Sequence, residues 1–522
     1  MHTILRLAAM LLSAATGAAA AAPWEGRVFD DRDGDGLAGA GEAGIGGVTV
    51  SDGVSVATTD GQGRWRLESV DGAPVFVVKP AGWALPRRED GLPAAWHAPQ
   101  GAHAIQQGDF PLLHEAGARD GARSVLVFAD PQVKSAADID YYARDIVAPL
   151  LGGAARGADL GISLGDIVDD VVDLYPAINA VTTRLGVPWL HVPGNHDLDP
   201  GASADRSSLS AFRASYGPDT FAWEEGAATF VLLDDVVKLR GKRPAYVGGL
   251  REDQFAFLEA WLPGVPKERL LVLGVHIPLF DTAAAGGAET FRSADRERLF
   301  ALLQPFPKVL VLSGHRHTQR HHRHGVAEGW HGATPLHEFN VGAASGAFWS
   351  GAPDAEGIPD ATMADGTPNG HALLEVDADG GYRLSWHPAR IPAGDPARTE
   401  AMHLHAPRVL RQGAYPAWAV YANVYMGEAD TRVEYRVDSG EWRAMSRVER
   451  PDPWLMAENA RDDAAPALRG HDRSPEAEPS RHLWRGALPT DLAPGDHRIE
   501  VRAFDLWHGE QRASTAYRLD AG

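Results

Sequence analysis

The stretch Trp189-Leu190-His191-Val192-Pro193-Gly194-Asn195-His196-Asp197 decides the fold. Its apolar run reads as a buried strand, closed off by Pro193 and Gly194. Directly after it come an amide, an imidazole and a carboxylate. In open α/β sheets ligands bind just beyond the carboxyl ends of strands. One such end is weak, but the same order recurs on both sides of it. Toward the amino terminus, 124–129 runs into Asp130-Pro131-Gln132, and 160–164 runs into Gly165-Asp166-Ile167-Val168-Asp169. Toward the carboxyl terminus, 270–273 runs into Gly274-Val275-His276, and 309–312 leads to Gly314-His315-Arg316-His317. A helix is predicted over about 136–151, and another over 251–262 with Phe255, Leu258 and Trp261 on one face. Alternating strands and helices predict an α/β layer fold from about residue 120.

The five strand ends supply Asp130, Gln132, Asp166, Asn195, His276, His315 and His317. Each offers oxygen or imidazole nitrogen, which suits hard or borderline metals. Seven such groups are too many for one ion and suit two that share a carboxylate.

In this order, each after a strand, the five motifs resemble those of the calcineurin-like metallophosphoesterases. The resemblance covers the central domain. It implies a two-sheet β-sandwich flanked by helices, within an α/β class, with smaller all-β domains at both ends. It implies that Asp130, Gln132 and His317 hold a first metal, that Asn195, His276 and His315 hold a second, and that Asp166 bridges them. His196 would then be the general acid, oriented by Asp169, while a hydroxide bridging the metals attacks phosphorus. The first motif of the family usually reads Asp-x-His, and some branches carry glutamine there, as Asp130-Pro131-Gln132 does here. A carbonyl oxygen in place of a nitrogen favours Mn²⁺ over Zn²⁺ or Fe. Two metals about 3.5–4 Å apart activate water and clamp the phosphoryl oxygens.

Working outward, residues 23–115 read as a small β domain, with short β-rich runs separated by Asp-Gly turns and no helical periodicity. Within it, Asp31, Asp33, Asp35 and Glu42 match a calcium-loop spacing, which predicts a structural Ca²⁺ on a β scaffold. The segment resembles the amino-terminal β domains of exported calcineurin-like phosphoesterases. Residues 116–395 form the predicted catalytic domain. Within it, strands over 338–341, 372–376 and 382–386 are expected to make its second sheet. The Gly-, Pro- and Asp-rich loop 345–369 is expected near the strand ends, and its Trp349 either lines the substrate pocket or packs between domains. His321, His322 and His324 read as an exposed strand or turn, and Asp170 and Asp197 as solvent-facing or local hydrogen-bond acceptors. Residues 396–522 alternate like a β-sandwich of immunoglobulin type, interrupted over about 451–482 by a polar, proline-containing insertion with no strand pattern.

The whole chain sets further bounds. It has 522 residues and no cysteine, so disulfides, thiolate ligands and a cysteine nucleophile are excluded. Its net charge of -21 argues against duplex nucleic acid and anionic membranes as partners. His2 and Arg6, the apolar run 7–15 and the small residues Ala20-Ala21-Ala22 predict a cleaved export signal over 1–22, and hence a periplasmic or secreted protein. That run falls short of the ~20 apolar residues a span requires. No protein partner is legible. The expected activity is hydrolysis of small phosphomonoesters. Two alternatives stand beside it, a phosphodiesterase acting on nucleotide, sugar-nucleotide or lipid head-group diesters, and a calcium-dependent surface or glycan-binding protein.

Overall fold

The computed structural model describes residues 23–69, 73–99, 105–114, 123–152, 157–241, 245–283, 286–415 and 418–521. The predicted export signal, 1–22, lies outside the described residues.

The central domain is built on two facing sheets. In the first, Trp189–Val192, Leu160–Leu164 and Arg123–Phe128 run parallel, and the hairpin Gly370–Val376 and Tyr382–Pro388 continues the sheet antiparallel. In the second, Ala228–Leu233, Leu270–Gly274, Val309–Ser313 and Leu336–Asn340 run parallel, with Thr220–Glu224 and Arg320–His324 as antiparallel edges. The expected second sheet is therefore corrected. The 370–388 hairpin belongs to the first sheet, and of the three predicted strands only 336–340 joins the second. Val125, Val127, Ile162 and Leu164 meet Phe230, Val272, Leu273 and Val311 in one apolar core.

Helices cover the outer faces. The predicted 136–151 helix is continuous, starts at Ser135 with its hydroxyl on the Asp138 amide, and widens by one residue per turn over 142–147. With 175–182 it shields Leu126, Phe128 and Trp189 on the first sheet. Glu252–Trp261 and Ser293–Leu303 cover the second.

The amino-terminal domain consists of two small sheets, without helices among the described residues. It is pinned to the central domain by Phe76, which touches Phe221 and Phe257, and by buried Lys79 on Glu225 (2.7 Å). Glu225 also takes Arg123 (3.1 Å) and the indole N–H of Trp223 (2.7 Å), so both cations and the carboxylate are paired. The carboxyl-terminal domain packs a four-stranded sheet on a five-stranded one. The insertion over about 451–482, read as having no strand pattern, is corrected at its carboxyl end. Pro453–Asp463 is a helix, capped by Asp452, whose carboxylate accepts from the Trp454 and Leu455 amides. The strand Pro479–Ala487 then begins inside the range read as having no strand pattern. Among the described residues no helix is long and apolar enough to cross a membrane.

Candidate metal centre at the strand ends

Five loops leave the carboxyl ends of strands and close on one another. Gly194 follows Trp189–Val192, and a Cβ there would lie 2.2 Å from the Asp166 amide and carboxylate. Gly165 has φ +84°, and a Cβ there would lie 2.5 Å from the His276 ring. The glycines of these two motifs are what let Asp166, Asn195 and His276 approach. Asp166 Oδ2 lies 3.3 Å from His276 Nε2, and Asn195 Oδ1 lies 3.1 Å from the same nitrogen. Asp166 Oδ1 accepts the His196 backbone N–H at 2.7 Å. Asp130 sits across from them, takes the His315 amide on both oxygens (3.1 and 2.9 Å), and faces His317 Nε2 at 3.6 Å.

The imidazoles are oriented by backbone carbonyls. His276 Nδ1 donates to Leu164 O (2.9 Å) and His317 Nδ1 to Gly346 O (2.6 Å). Each Nε2 is thereby left facing oxygen acceptors, the arrangement in which a ring nitrogen serves as a metal ligand. Donor atoms of Asp166, His276 and His315 all lie within 4.8 Å of one another. Gln132 Oε1 is buried with no hydrogen-bond partner, and His276 Nε2 has acceptors on two sides. The site therefore has lone pairs to spare, and a divalent cation satisfies what the protein alone does not.

Electrostatics agree. Burial opposes a charge on Asp166, yet His276, with His196 and His315, holds it below the usual carboxylate range. Burial likewise opposes a charge on His276, but Asp166, helped by Asp130 and Asp235, pushes it up to about 10. The centre attracts a cation, and in the metal-free chain a proton on His276 takes that place. His315, buried beside His276, is pushed down to about 3.

Strain marks the same residues. Asp130, Gln132, Asp166, His315 and His317 have φ of +47°, +45°, +47°, +72° and +48°. Left-handed backbone at a residue other than glycine costs about 1–3 kcal/mol each and collects at functional sites.

His196 stands at the mouth with about a third of its side chain exposed. Its Nδ1 lies 3.2 Å from Asp169 and 3.0 Å from Asp170. Burial lowers its pKa, but Asp166, Asp170 and Asp169 together raise it. The sequence singled out Asp169 alone. Asp170, at φ +63°, is brought to the same nitrogen by its turn. Asp197 is not solvent-facing as one alternative had it. It is fully buried and accepts from the Gly194 and Ile167 amides and from Tyr175 OH (2.8, 3.2 and 2.9 Å), so it ties two of the loops together.

Trp349 is buried, packs on Tyr141 and donates its indole N–H to Pro131 O (2.9 Å), beneath the Asp130–Gln132 loop. Its neighbour Phe348, which sequence reasoning missed, stacks on His317 at 4.6 Å with its ring 29° from parallel. A loop aromatic preceded by Gly-Ala carries no signal that separates the two. The predicted exposed run 320–324 is a strand, but His324 is fully buried and His321 and His322 are half-buried, which corrects that expectation. In the amino-terminal domain, Asp31, Asp33 and Glu42 offer oxygens within 4.8 Å of one another. Asp35 stands outside that group, with its carboxylate on the Leu37 amide (2.8 Å).

Comparison with known proteins finds three segments of one family along the chain. Residues 123–319 match the calcineurin-like phosphoesterase family, 33–115 its amino-terminal segment and 338–511 its carboxyl-terminal segment. No curated protein matches. Among solved structures, the chain is similar to a dimetal phosphatase of Danio rerio, with 14% identity over 50% of this chain and 98% of that one, at TM-score 0.32. It is similar to a purple acid phosphatase of yellow lupin (Lupinus luteus) seeds, with 15% identity over 66% of each chain, at TM-score 0.38. It is also similar to PhoD, with 11% identity over 76% of this chain and 84% of that one, at TM-score 0.36. With all three segments of one family present in order, this chain belongs to the calcineurin-like phosphoesterases and is a metal-dependent hydrolase of phosphoester bonds.

Proposed function

We propose that the enzyme hydrolyses phosphomonoesters, with two divalent cations held by Asp130, Gln132 and His317 on one side and by Asn195, His276 and His315 on the other, and Asp166 between. The observation that supports the ligand set is the approach of Asp166, His276, His315 and Asn195 to one another and of Asp130 to His317, together with Gln132 Oε1, buried without a partner. Mn²⁺ is the favoured metal, because two of the seven ligands are amide oxygens, which Mn²⁺ accepts more readily than Zn²⁺ does. Bound there, the cations supply Lewis acidity, which lowers the pKa of water and neutralises phosphoryl oxygens.

The chain's own groups do the rest. Asp169 and Asp170 hold the Nδ1 proton of His196 and fix its ring, which leaves Nε2 to carry the proton for the departing alkoxide. The His196 main chain is held in turn by Asp166, so acid and metal ligands move as one unit. Arg316, between the two histidines of its motif, has a half-exposed guanidinium paired loosely with Glu478 at 4.0 Å. A cation there suits the second negative charge of a monoester, and this supports monoesters over diesters. The reading includes export, supported by the apolar run 7–15 and its small-residue boundary. It also includes a structural Ca²⁺ on Asp31, Asp33 and Glu42.

One experiment tests it. Elemental analysis of the intact, manganese-loaded protein is expected to return two transition-metal ions and one calcium per chain. The same sample should hydrolyse an aryl monoester faster than a bis-aryl diester. Inertness toward both and toward a wider ester panel would overturn the activity. Faster cleavage of the diester would shift it to the phosphodiesterase alternative. Equal melting with and without calcium would remove the calcium claim.

A further inference from the structure

The turn His315-Arg316-His317 carries an aromatic ring against each imidazole. Tyr246, from the strand Tyr246–Gly248, meets His315 edge-on at 5.9 Å. Phe348 lies nearly parallel on His317 at 4.6 Å. The two rings come from distant parts of the chain and rest on different imidazoles of one turn.

Phe348 is the more telling of the two. It is 47% exposed, although an apolar ring this large is ordinarily buried. It is also held in left-handed backbone, at φ +57°, as is Trp349 beside it at φ +55°. Trp349 takes the interior position and is anchored by its amide on Ser345 O (3.0 Å) and its indole on Pro131 O (2.9 Å). With two adjacent aromatics, the loop buries one and turns the other outward over a predicted ligand. One face of Phe348 rests on His317 and its free area opens into a cavity of about 380 Å³, lined also by Lys134, Tyr141, Trp349, His471 and Asp472. That volume lies within the range of small-molecule sites, which run from about 300 to 1,000 Å³. A saturated, hydrated alcohol gains little from such a wall, whereas a flat ring gains a stacking partner at no cost in loop ordering.

We propose that this aromatic rim selects phosphate esters whose organic group carries an aromatic ring, with Phe348 as the stacking residue. The proposal rests on the phosphoesterase reading above and adds a substrate class to it. An aryl group and a nucleobase share the required flat face, and the test separates them.

Benzyl phosphate, thymidine 5′-phosphate and glycerol 3-phosphate all release a primary alkoxide, so leaving-group chemistry is matched and only the organic group differs. In the wild type, kcat/KM should be higher for one or both ring-bearing esters than for glycerol 3-phosphate. Phe348→Ala should reduce that ratio by about ten-fold, the size of one lost ring-on-ring contact, and Phe348→Trp should restore it. Binding of phenylphosphonate relative to methylphosphonate, measured by calorimetry on the manganese-loaded protein, should fall by a similar factor in Phe348→Ala. Metal content is measured on every sample, so a loss that follows departure of the ion beside His317 counts against stacking. If benzyl phosphate alone shows the effect, the ring is an aryl group. If thymidine 5′-phosphate alone shows it, the ring is a nucleobase. A ratio that stays put while all esters are hydrolysed overturns the aromatic rim and leaves the phosphoesterase standing. A wild type that hydrolyses no ester overturns both.

Discussion

Two groups of histidines lie within ten residues of each other. His315 and His317 sit on the turn after Val309–Ser313, and His321, His322 and His324 sit on the adjacent edge strand of the same sheet. Both groups, with nearby carboxylates, place enough donor atoms close together to hold a metal. Their surroundings differ. The strand histidines have extended backbone paired in register with Leu336–Asn340. Each also meets a side chain inside the fold. His322 Nε2 meets Glu328 (2.8 Å), His324 Nε2 meets Glu338 (2.6 Å), and His321 Nδ1 meets His337 Nε2 (3.0 Å). His315 and His317 have left-handed backbone, stand at the carboxyl end of the sheet, and face Asp166 and Asp130. Residue type is therefore not what separates a metal centre from a polar core. The separation comes from where the sheet ends and from the left-handed backbone found there, since both regions keep buried unpartnered atoms, Gln132 Oε1 in one and His321 Nε2 and His324 Nδ1 in the other.

The sharpest way to break that contrast is to remove one histidine from each region. His196→Ala at the strand ends should lower kcat by about 10²–10⁴-fold on an alkyl phosphate, the usual worth of a positioned acid. The loss should be much smaller on p-nitrophenyl phosphate, whose leaving group departs without a proton. Metal content should not change, because His196 is not among the proposed ligands. Steady-state kinetics on the two esters, with elemental analysis, check this. Equal losses on both would show that His196 does something other than protonate the leaving oxygen.

His324→Leu, in the polar core, should have the opposite profile. It leaves Glu338, wholly buried, with only the Ser313 hydroxyl (2.7 Å) and the Leu279 amide (3.0 Å) for company. Breaking a buried pair from one side costs about 3 kcal/mol or more. Thermal unfolding of the central domain should therefore begin at clearly lower temperature, while turnover per folded molecule and the metal count stay as in the wild type. A loss of bound transition metal in this variant would mean that the two histidine groups are one system after all.

The same contrast governs what could be read in advance. The five motifs were legible because each couples a local signal, an apolar run, to a fixed polar follow-up, and both survive without knowledge of neighbours. Sheet membership was not legible. Whether the 370–388 hairpin extends the first sheet or builds the second depends on its pairing with Arg123–Phe128, about 250 residues away, and alternation along a strand looks the same in either sheet. The Pro453–Asp463 helix went unread, although after the capping carboxylate of Asp452 a proline at the first helical position is a start signal. Asp197 was read as either solvent-facing or a local hydrogen-bond acceptor, and it is the acceptor, on the Gly194 amide. Its burial follows from amides of another loop, at Ile167 and Val168, and from the Tyr175 hydroxyl aimed at it, a non-local fact. Asp170 reached His196 only through a left-handed turn that no side-chain pattern announces.

The smallest effect comes from pH, and it tests the polar core without touching the metal loops. Burial disfavours a charge on His324, but Glu328 and Glu338 on either side raise its pKa above the ordinary 6.5. Glu328 is affected the other way. Burial would raise it, yet His324 and His322 pull it down to about 2 from an ordinary 4.5. A raised histidine stabilises fully below about pH 6.5, and that contribution fades as the pH climbs through its folded value. A depressed carboxylate stabilises fully above about pH 4.5, and that contribution fades as the pH falls toward about 2. The wild type should therefore exceed His324→Leu in melting temperature by the widest margin between about pH 4.5 and 6.5, with the gap narrowing on both sides. Because Glu328 is partly exposed, its share is screened by salt, and the acid side of the window should flatten first as ionic strength rises. Melting curves of the two proteins across pH at low and high salt measure this. A gap that keeps widening above pH 8 would mean that His324 is held neutral, with the pair acting as an ordinary hydrogen bond, and the polar core would then owe its stability to packing instead of charge.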